Sequence, residues 1–313
     1  MSDLDYTLVQ SALDIGGAVK RVASLDTGEV LQDVDHREDI AESAGSPARG
    51  GSPLSTMHIS PFVEWASGAG LLKVSQGKKN DAPAGGKRGR IKGFSFASRR
   101  RLMQTVARIR LDAPLPMFVT LTYPNKFPSP IESKRHLKIF IKRLLRAFPD
   151  VGLIWKLEPQ KRGAPHYHML VYGVEEHDLF MFTVSAWYEI AGDGDRRHLA
   201  FHLGALKKSK PCVQAVYSRE GVMRYASKYL GKTFEVAGWE GVYPGQFWSV
   251  VQKENIPFGK DMVMYITKKD AHVWMRYQRR FAKLKSRNYS SLTTFCNADQ
   301  WTKNIMEVHK DEK

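Results

Sequence analysis

The sequence predicts an α+β fold, a central antiparallel sheet with helices packed on it. Three observations predict it. Short runs rich in β-branched and aromatic residues recur at 117–123, 151–158 and 166–173. Two of them, VGLIWKLE and HYHMLVYG, are separated only by PQKRGAP, whose Gly163 and Pro165 punctuate a turn, so they form a hairpin. Longer stretches with apolar residues three and four apart lie before and after these runs and mark amphipathic helices.

Residues 1–90 carry little periodic signal. AESAGSPARGGSPLST and GKKNDAPAGGKRGRIKG are rich in Gly, Pro and Ser and poor in large apolar residues. Such segments bury too little surface to offset their ordering entropy. The region is expected to be largely disordered, with short pieces such as SPFVEWASG docking locally.

From residue 91 the pattern changes. SFASRRRLMQTVARI predicts a basic helix, with Leu102, Val106 and Ile109 three to four apart. MFVTLTY (117–123) is a strand ended by Pro124. In SPIESKRHLKIFIKRLLRAF, Ser129 is an N-cap, Pro130 takes the first helical position and Glu132 closes a capping box. Leu137, Phe140, Ile141, Leu144, Leu145 and Phe148 form its apolar stripe, and Lys134, Arg135, Lys138, Lys142, Arg143 and Arg146 its basic face. After the hairpin, HDLFMFTVSAWYEIAG predicts a helix ending near Gly192, and CVQAVYS (212–218) a short fourth strand. REGVMRYASKYLGK follows as a helix capped by Ser218 and stopped by Gly231. The order β-α-β-β-α-β-α is ferredoxin-like. DAHVWMRYQRRFAKLKSR (270–287) predicts an amphipathic helix with Val273, Tyr277, Phe281 and Leu284 facing inward. The chain then divides into a largely disordered region (1–90), a folded domain (91–260) and a basic helical extension (261–313).

Net charge is +16, and residues 1–60 hold ten acidic against four basic residues, a net −6, which leaves +22 for residues 61–313. A body that basic attracts a polyanion, and nucleic acid is the commonest one. The two cysteines, Cys212 and Cys296, form no CxxC, which excludes a disulfide framework or zinc ribbon and fits a reducing compartment. No apolar run approaches the roughly 20 residues that span a bilayer. MSDLDYTLVQ lacks the basic-then-apolar order of a signal peptide. A cytoplasmic protein without membrane partners is expected.

Alternate side chains of a strand share a face, so His166 and His168 point the same way, with Tyr167 and Met169 opposite. Two imidazoles whose α-carbons lie roughly 7 Å apart can converge on one divalent cation. Glu158 ends the partner strand and can reach the same point. A mixed N/O set with open positions suits Mg²⁺ or Mn²⁺ with a phosphate oxygen as the further ligand. In YASKY, Tyr225 and Tyr229 lie four apart on one helical face beside Lys228. A tyrosine hydroxyl can attack a phosphodiester covalently; the same pair could instead be an aromatic stripe packed on the sheet.

FVTLTYP, E…PHYHMLVYG and YASKYLGK, in this order, resemble the three motifs of rolling-circle replication initiators of the HUH endonuclease superfamily, the phage and plasmid type with paired tyrosines. The resemblance covers roughly residues 90–300. It implies an RRM-like, ferredoxin-like HUH endonuclease domain over 91–260. It implies a nuclease that nicks one origin strand, becomes joined through tyrosine to the 5′-phosphate and frees a 3′-hydroxyl primer. By the same resemblance His166, His168 and Glu158 are metal ligands, Tyr225 and Tyr229 nucleophiles, and Lys228 a supporting base or cation. The cofactor is Mg²⁺ or Mn²⁺. The partners are single-stranded origin DNA and, since no GxxxxGK[ST] occurs, a host helicase with the replication machinery of a bacterial host cell.

Exposed cations are candidate phosphate contacts: Lys138, Lys142, Arg146, Lys232, Arg276, Arg279 and Arg280. Two alternatives remain, an HUH transposase and a non-catalytic sequence-specific DNA-binding protein. A β-barrel oxygenase would need many short strands and a further histidine. A histidine-triad phosphotransferase would need a histidine where Leu170 stands.

Overall fold

The computed structural model describes residues 60–76, 93–218, 244–281, 291–295 and 297–308, the short strand at 30–32, and residues 91, 239 and 242. In chain order the elements are β1 (Val30–Gln32), β2 (Phe62–Ala66), β3 (Leu71–Ser75), α1 (Phe96–Ala107), β4 (Met117–Leu121) and α2 (Pro130–Ala147). There follow β5 (Gly152–Pro159), β6 (Pro165–Tyr172), α3 (Glu176–Ala191), α4 (Arg196–Leu203), β7 (Val213–Ala215) and β8 (Trp248–Val251). The last are β9 (Asp261–Tyr265), α5 (Lys268–Phe281), β10 (Ser291–Phe295) and α6 (Ala298–Val308). They form two compact units, one within Lys87–Pro257, the other from Asp26–Gly86 and Phe258–Lys313.

The first unit is the predicted α+β layer. Its sheet runs β7-β4-β6-β5-β8, and every neighbouring pair is antiparallel. Counting β4 to β7 as first to fourth, their order is fourth-first-third-second, that of a ferredoxin-like sheet, with β8 added at the β5 edge. β8 takes part of the YPGQFWSV stretch.

One sheet face receives α2 and α3. Tyr167 of β6 shares a 2.8 Å hydrogen bond with Ser133 of α2 and stands edge-on to Trp187 of α3. Trp187 also meets Tyr123 and Phe140 edge-on. The α2 sequence explains this docking. The Ser129 hydroxyl accepts from the Glu132 amide at 3.1 Å, and Pro130 costs no hydrogen bond in the first turn. The Glu132 carboxylate accepts from Arg135 at 2.7 Å. Leu137, Phe140 and Leu144, three and four apart, are all buried, and each stabilises the fold by about 2 kcal/mol. Phe140→Ala would remove the largest of them, at a cost of about 3–5 kcal/mol. Lys138, Lys142 and Arg146 stay exposed.

α4 lies in a stretch for which the sequence reading assigned no element. Asp195 caps it, accepting from the amides of Arg197 and His198, and Gly204 ends it at φ 77°, where a side chain is disfavoured.

The second unit differs from the division expected at residues 90 and 260. Its sheet runs β1-β10-β3-β2-β9, antiparallel throughout. Residues 62–66 and 71–75, expected within a largely disordered region, are its central strands, and the expected helical extension contributes β9 and β10. The cause is non-local pairing. Val63 and Trp65 alternate inward with Leu72 and Val74, and their cover, Ala271, Met275, Leu292 and Ala298, lies about two hundred residues downstream. Local composition cannot register partners that distant. On α5 the inward stripe is Ala271, Trp274 and Met275, whereas Val273, expected inside, is 50% exposed. The sheet selects the narrow face that fits against Leu72 and Val74. Tyr277 and Phe281 have side chains outside the described ones, and Leu284 lies outside the described residues. Among the described residues no helix is long and apolar enough to cross a membrane.

Candidate metal centre

The β5–β6 register places Glu158 opposite His166 and Lys156 opposite His168. These four residues therefore share the sheet face opposite Tyr167. The rings of His166 and His168 lie 4.4 Å apart, nearly perpendicular. His168 Nε2 is 3.0 Å from Glu158 Oε1. Lys156 Nζ donates to Glu158 Oε2 at 3.2 Å. One donor atom from each of Glu158, His166 and His168 lies within 4.8 Å of the others. That group could hold a metal ion.

Each ring is held from outside the group. Phe118 of β4 stacks on His168 with centroids 5.3 Å apart. Gln160 Nε2 lies 3.4 Å from His166 Nδ1. Lys156 is wholly buried, with its ammonium 4.7 Å from the centre of the Phe94 ring.

The charge states suit a cation. Burial pushes the Glu158 carboxyl up, but the His168 hydrogen bond and the nearby His168 and Lys156 charges outweigh it and bring it to about 2. It is an anion at neutral pH. Burial, reinforced by His168, pushes His166 down to about 3, so its ring is neutral and keeps a lone pair to donate. A carboxylate with neutral imidazole is the mixed O/N donor set that Mg²⁺ or Mn²⁺ accepts.

A second histidine pair stands on α4, which the sequence reading did not single out. His198 and His202, four apart, are buried, with ring centroids 4.6 Å apart. Both attach to Thr122, just past β4. His198 Nε2 donates to the Thr122 carbonyl at 3.0 Å, and His202 Nε2 lies 2.9 Å from the Thr122 hydroxyl. Trp187 Nε1 also donates to that carbonyl. The end of FVTLTYP is thus an anchoring point for α3 and α4. Spacing alone could have flagged RRHLAFHL, as it could the Lys156–Glu158 pair in WKLE.

Of the residues singled out by sequence, Glu158, His166 and His168 come together. Lys138, Lys142 and Arg146 line the exposed side of α2, and Arg276 is exposed on α5. Arg279 and Arg280 lie on the α5 backbone, with side chains outside the described ones. Tyr225, Lys228, Tyr229 and Lys232 lie outside the described residues.

Residues 116–234 match the family model of the replication-associated protein ORF2. The match begins just before β4, passes through the Glu158, His166 and His168 group, and includes the YASKY stretch. It covers somewhat over a third of the chain and is consistent with a replication initiator. No curated protein and no solved structure matches the chain.

Proposed function

We propose that this protein initiates rolling-circle DNA replication as a metal-dependent, origin-specific single-strand endonuclease and strand transferase of the HUH type. The observation that carries the reading is the convergence of Glu158, His166 and His168 at the open end of one hairpin, inside the segment similar to a replication-associated family. A carboxylate and two imidazoles on one edge of a sheet have little use in a protein that only binds DNA.

In this reading the three side chains hold Mg²⁺ or Mn²⁺. The bound ion polarises the scissile phosphate and stabilises charge that develops there. The phenolic oxygen of Tyr225 or Tyr229 attacks the phosphorus. An O–P bond to tyrosine forms and the bond to the 3′-oxygen breaks. The phenolic proton passes to solvent or to Lys228, and the 3′-oxygen takes up a proton to leave as a hydroxyl primer. With two tyrosines, one can hold the 5′-phosphate while the other cleaves the regenerated origin. Lys138, Lys142 and Arg146, with Lys232, Arg276, Arg279 and Arg280, contribute sequence-independent phosphate contacts. Unwinding falls to a helicase of the host.

A covalent-capture assay tests this. Labelled single-stranded oligonucleotides tiling the replicon that encodes the chain are mixed with protein and Mn²⁺ or Mg²⁺ and run under denaturing conditions. The expected result is a metal-dependent adduct that Tyr225→Phe with Tyr229→Phe abolishes and His166→Ala strongly reduces. Tight metal-independent binding with no adduct would overturn the enzyme reading in favour of a non-catalytic DNA-binding protein. An adduct that forms only on mobile-element ends would favour a transposase.

A further inference from the structure

An open groove of about 620 Å³ lies at the turn of the β5–β6 hairpin, next to the N-terminus of α2. Phe127 and Ser129 form one side, Lys161, Arg162 and Gly163 the other, and Trp239 adds to the lining. Trp239 is buried, donates from Nε1 to the Gly163 carbonyl at 2.7 Å and stacks on Phe247. Gly163 turns the chain at φ 80°, which a side chain would resist.

Arg162 is fixed rather than loose. Its Nε donates to Gln160 Oε1 at 3.0 Å, and its two terminal nitrogens donate to the carbonyls of Pro124 and Tyr123 at 2.7 and 2.5 Å. These bonds use three of the five N–H donors of a guanidinium. Its central carbon sits 5.2 Å from the centre of the Phe127 ring, which remains 38% exposed. The result is a preorganised arginine–aromatic platform at the surface, flanked by the exposed ammonium of Lys161. Such a platform, with a neighbouring cation, suits one base and one phosphate of an unpaired strand.

The groove is also wired to the metal group. Gln160 accepts from Arg162 and lies against His166 Nδ1. Arg162 and His166 are four residues apart, at most ~14 Å along the chain. A strand whose phosphate rests at Glu158, His166 and His168 must therefore pass close to this turn.

We propose that the groove holds one nucleotide of single-stranded DNA beside the scissile phosphate, its base on the Phe127–Arg162 platform and its phosphate against Lys161. This rests on the nicking function proposed above and adds to it a subsite for the flanking nucleotide.

The test uses full-length protein and fluorescence anisotropy with the tiled oligonucleotides, with adduct formation measured in parallel. Phe127→Ala should weaken binding roughly ten-fold or more, and Phe127→Tyr should restore it. Lys161→Ala should lower the salt dependence of binding by about one phosphate contact. An abasic site at one position beside the nick should weaken binding by the parent protein but not by Phe127→Ala, because base and ring act as a pair. Parental binding and nicking by both alanine variants would overturn the groove while leaving the nicking function intact. So would abasic effects that add to Phe127→Ala at every position. A parent protein that neither binds nor nicks any tile would overturn the nicking function, and the groove with it.

Discussion

His168 Nε2 lies 3.0 Å from Glu158 Oε1, although the strand register sets His166, not His168, opposite Glu158. The carboxylate reaches diagonally across the hairpin, a span open to a long side chain. It thus stands between both imidazoles, where one anion completes a three-donor set. Glu158→Gln keeps the shape and a hydrogen-bonding oxygen but removes the charge. Mn²⁺ affinity, followed by isothermal titration, should fall at least roughly ten-fold. Unchanged affinity would show that Glu158 is not a ligand.

Lys156 holds the other oxygen of the same carboxylate from a fully buried position. Its charge lowers the cost of the anion without metal and opposes a cation arriving there. Lys156→Met should destabilise the metal-free protein by about 3 kcal/mol, because the partner carboxylate is left buried without its cation. Mn²⁺ should then raise the urea midpoint of the variant more than that of the parent. Equal shifts would mean that lysine and metal do not compete for Glu158.

How far the sequence exposes these features depends on the range of the forces involved. The hairpin with Glu158, His166 and His168 was legible because alternation and turn chemistry act over a few residues. The α2 helix was legible for the same reason, through Ser129, Pro130 and its stripe of leucine and phenylalanine. The second sheet was not. Val63 and Leu72 find their cover in Ala271 and Leu292, and no local pattern announces such partners. Lys156 escaped notice because a lysine two residues before a glutamate reads as a solvated surface pair; only the sheet makes it interior. His198 and His202 escaped because their meaning comes from Thr122, some eighty residues earlier.

Gly173 tests the hairpin's exit. It follows β6 at φ 83°, and an added Cβ would press on the Asp150 carbonyl oxygen. Both the dihedral and the contact with backbone oppose any side chain. Gly173→Ala should cost about 2 kcal/mol or more, read from chemical denaturation. A stability change within about 0.5 kcal/mol, the range of neutral surface changes, would show that the strand end relaxes without penalty.

The α4 histidines give the fold an acid limit. Burial, reinforced by His198, pushes His202 down to about 3, and its ring sits against Thr122 with His198 beside it. The unfolded chain takes a proton at this site near the ordinary histidine value of about 6.5, whereas the folded chain resists it until about 3. Below about pH 6.5 the unfolded state therefore binds more protons, so stability is full above that value and drains away as the pH falls towards 3. Between about pH 7 and pH 5 this one site costs about 2 kcal/mol. His202→Gln retains a polar group for the Thr122 hydroxyl and cannot titrate. Urea unfolding of that variant should lose about 2 kcal/mol less than the parent over the same interval. Parallel losses would mean that His202 is protonated in the folded protein and that acid acts elsewhere.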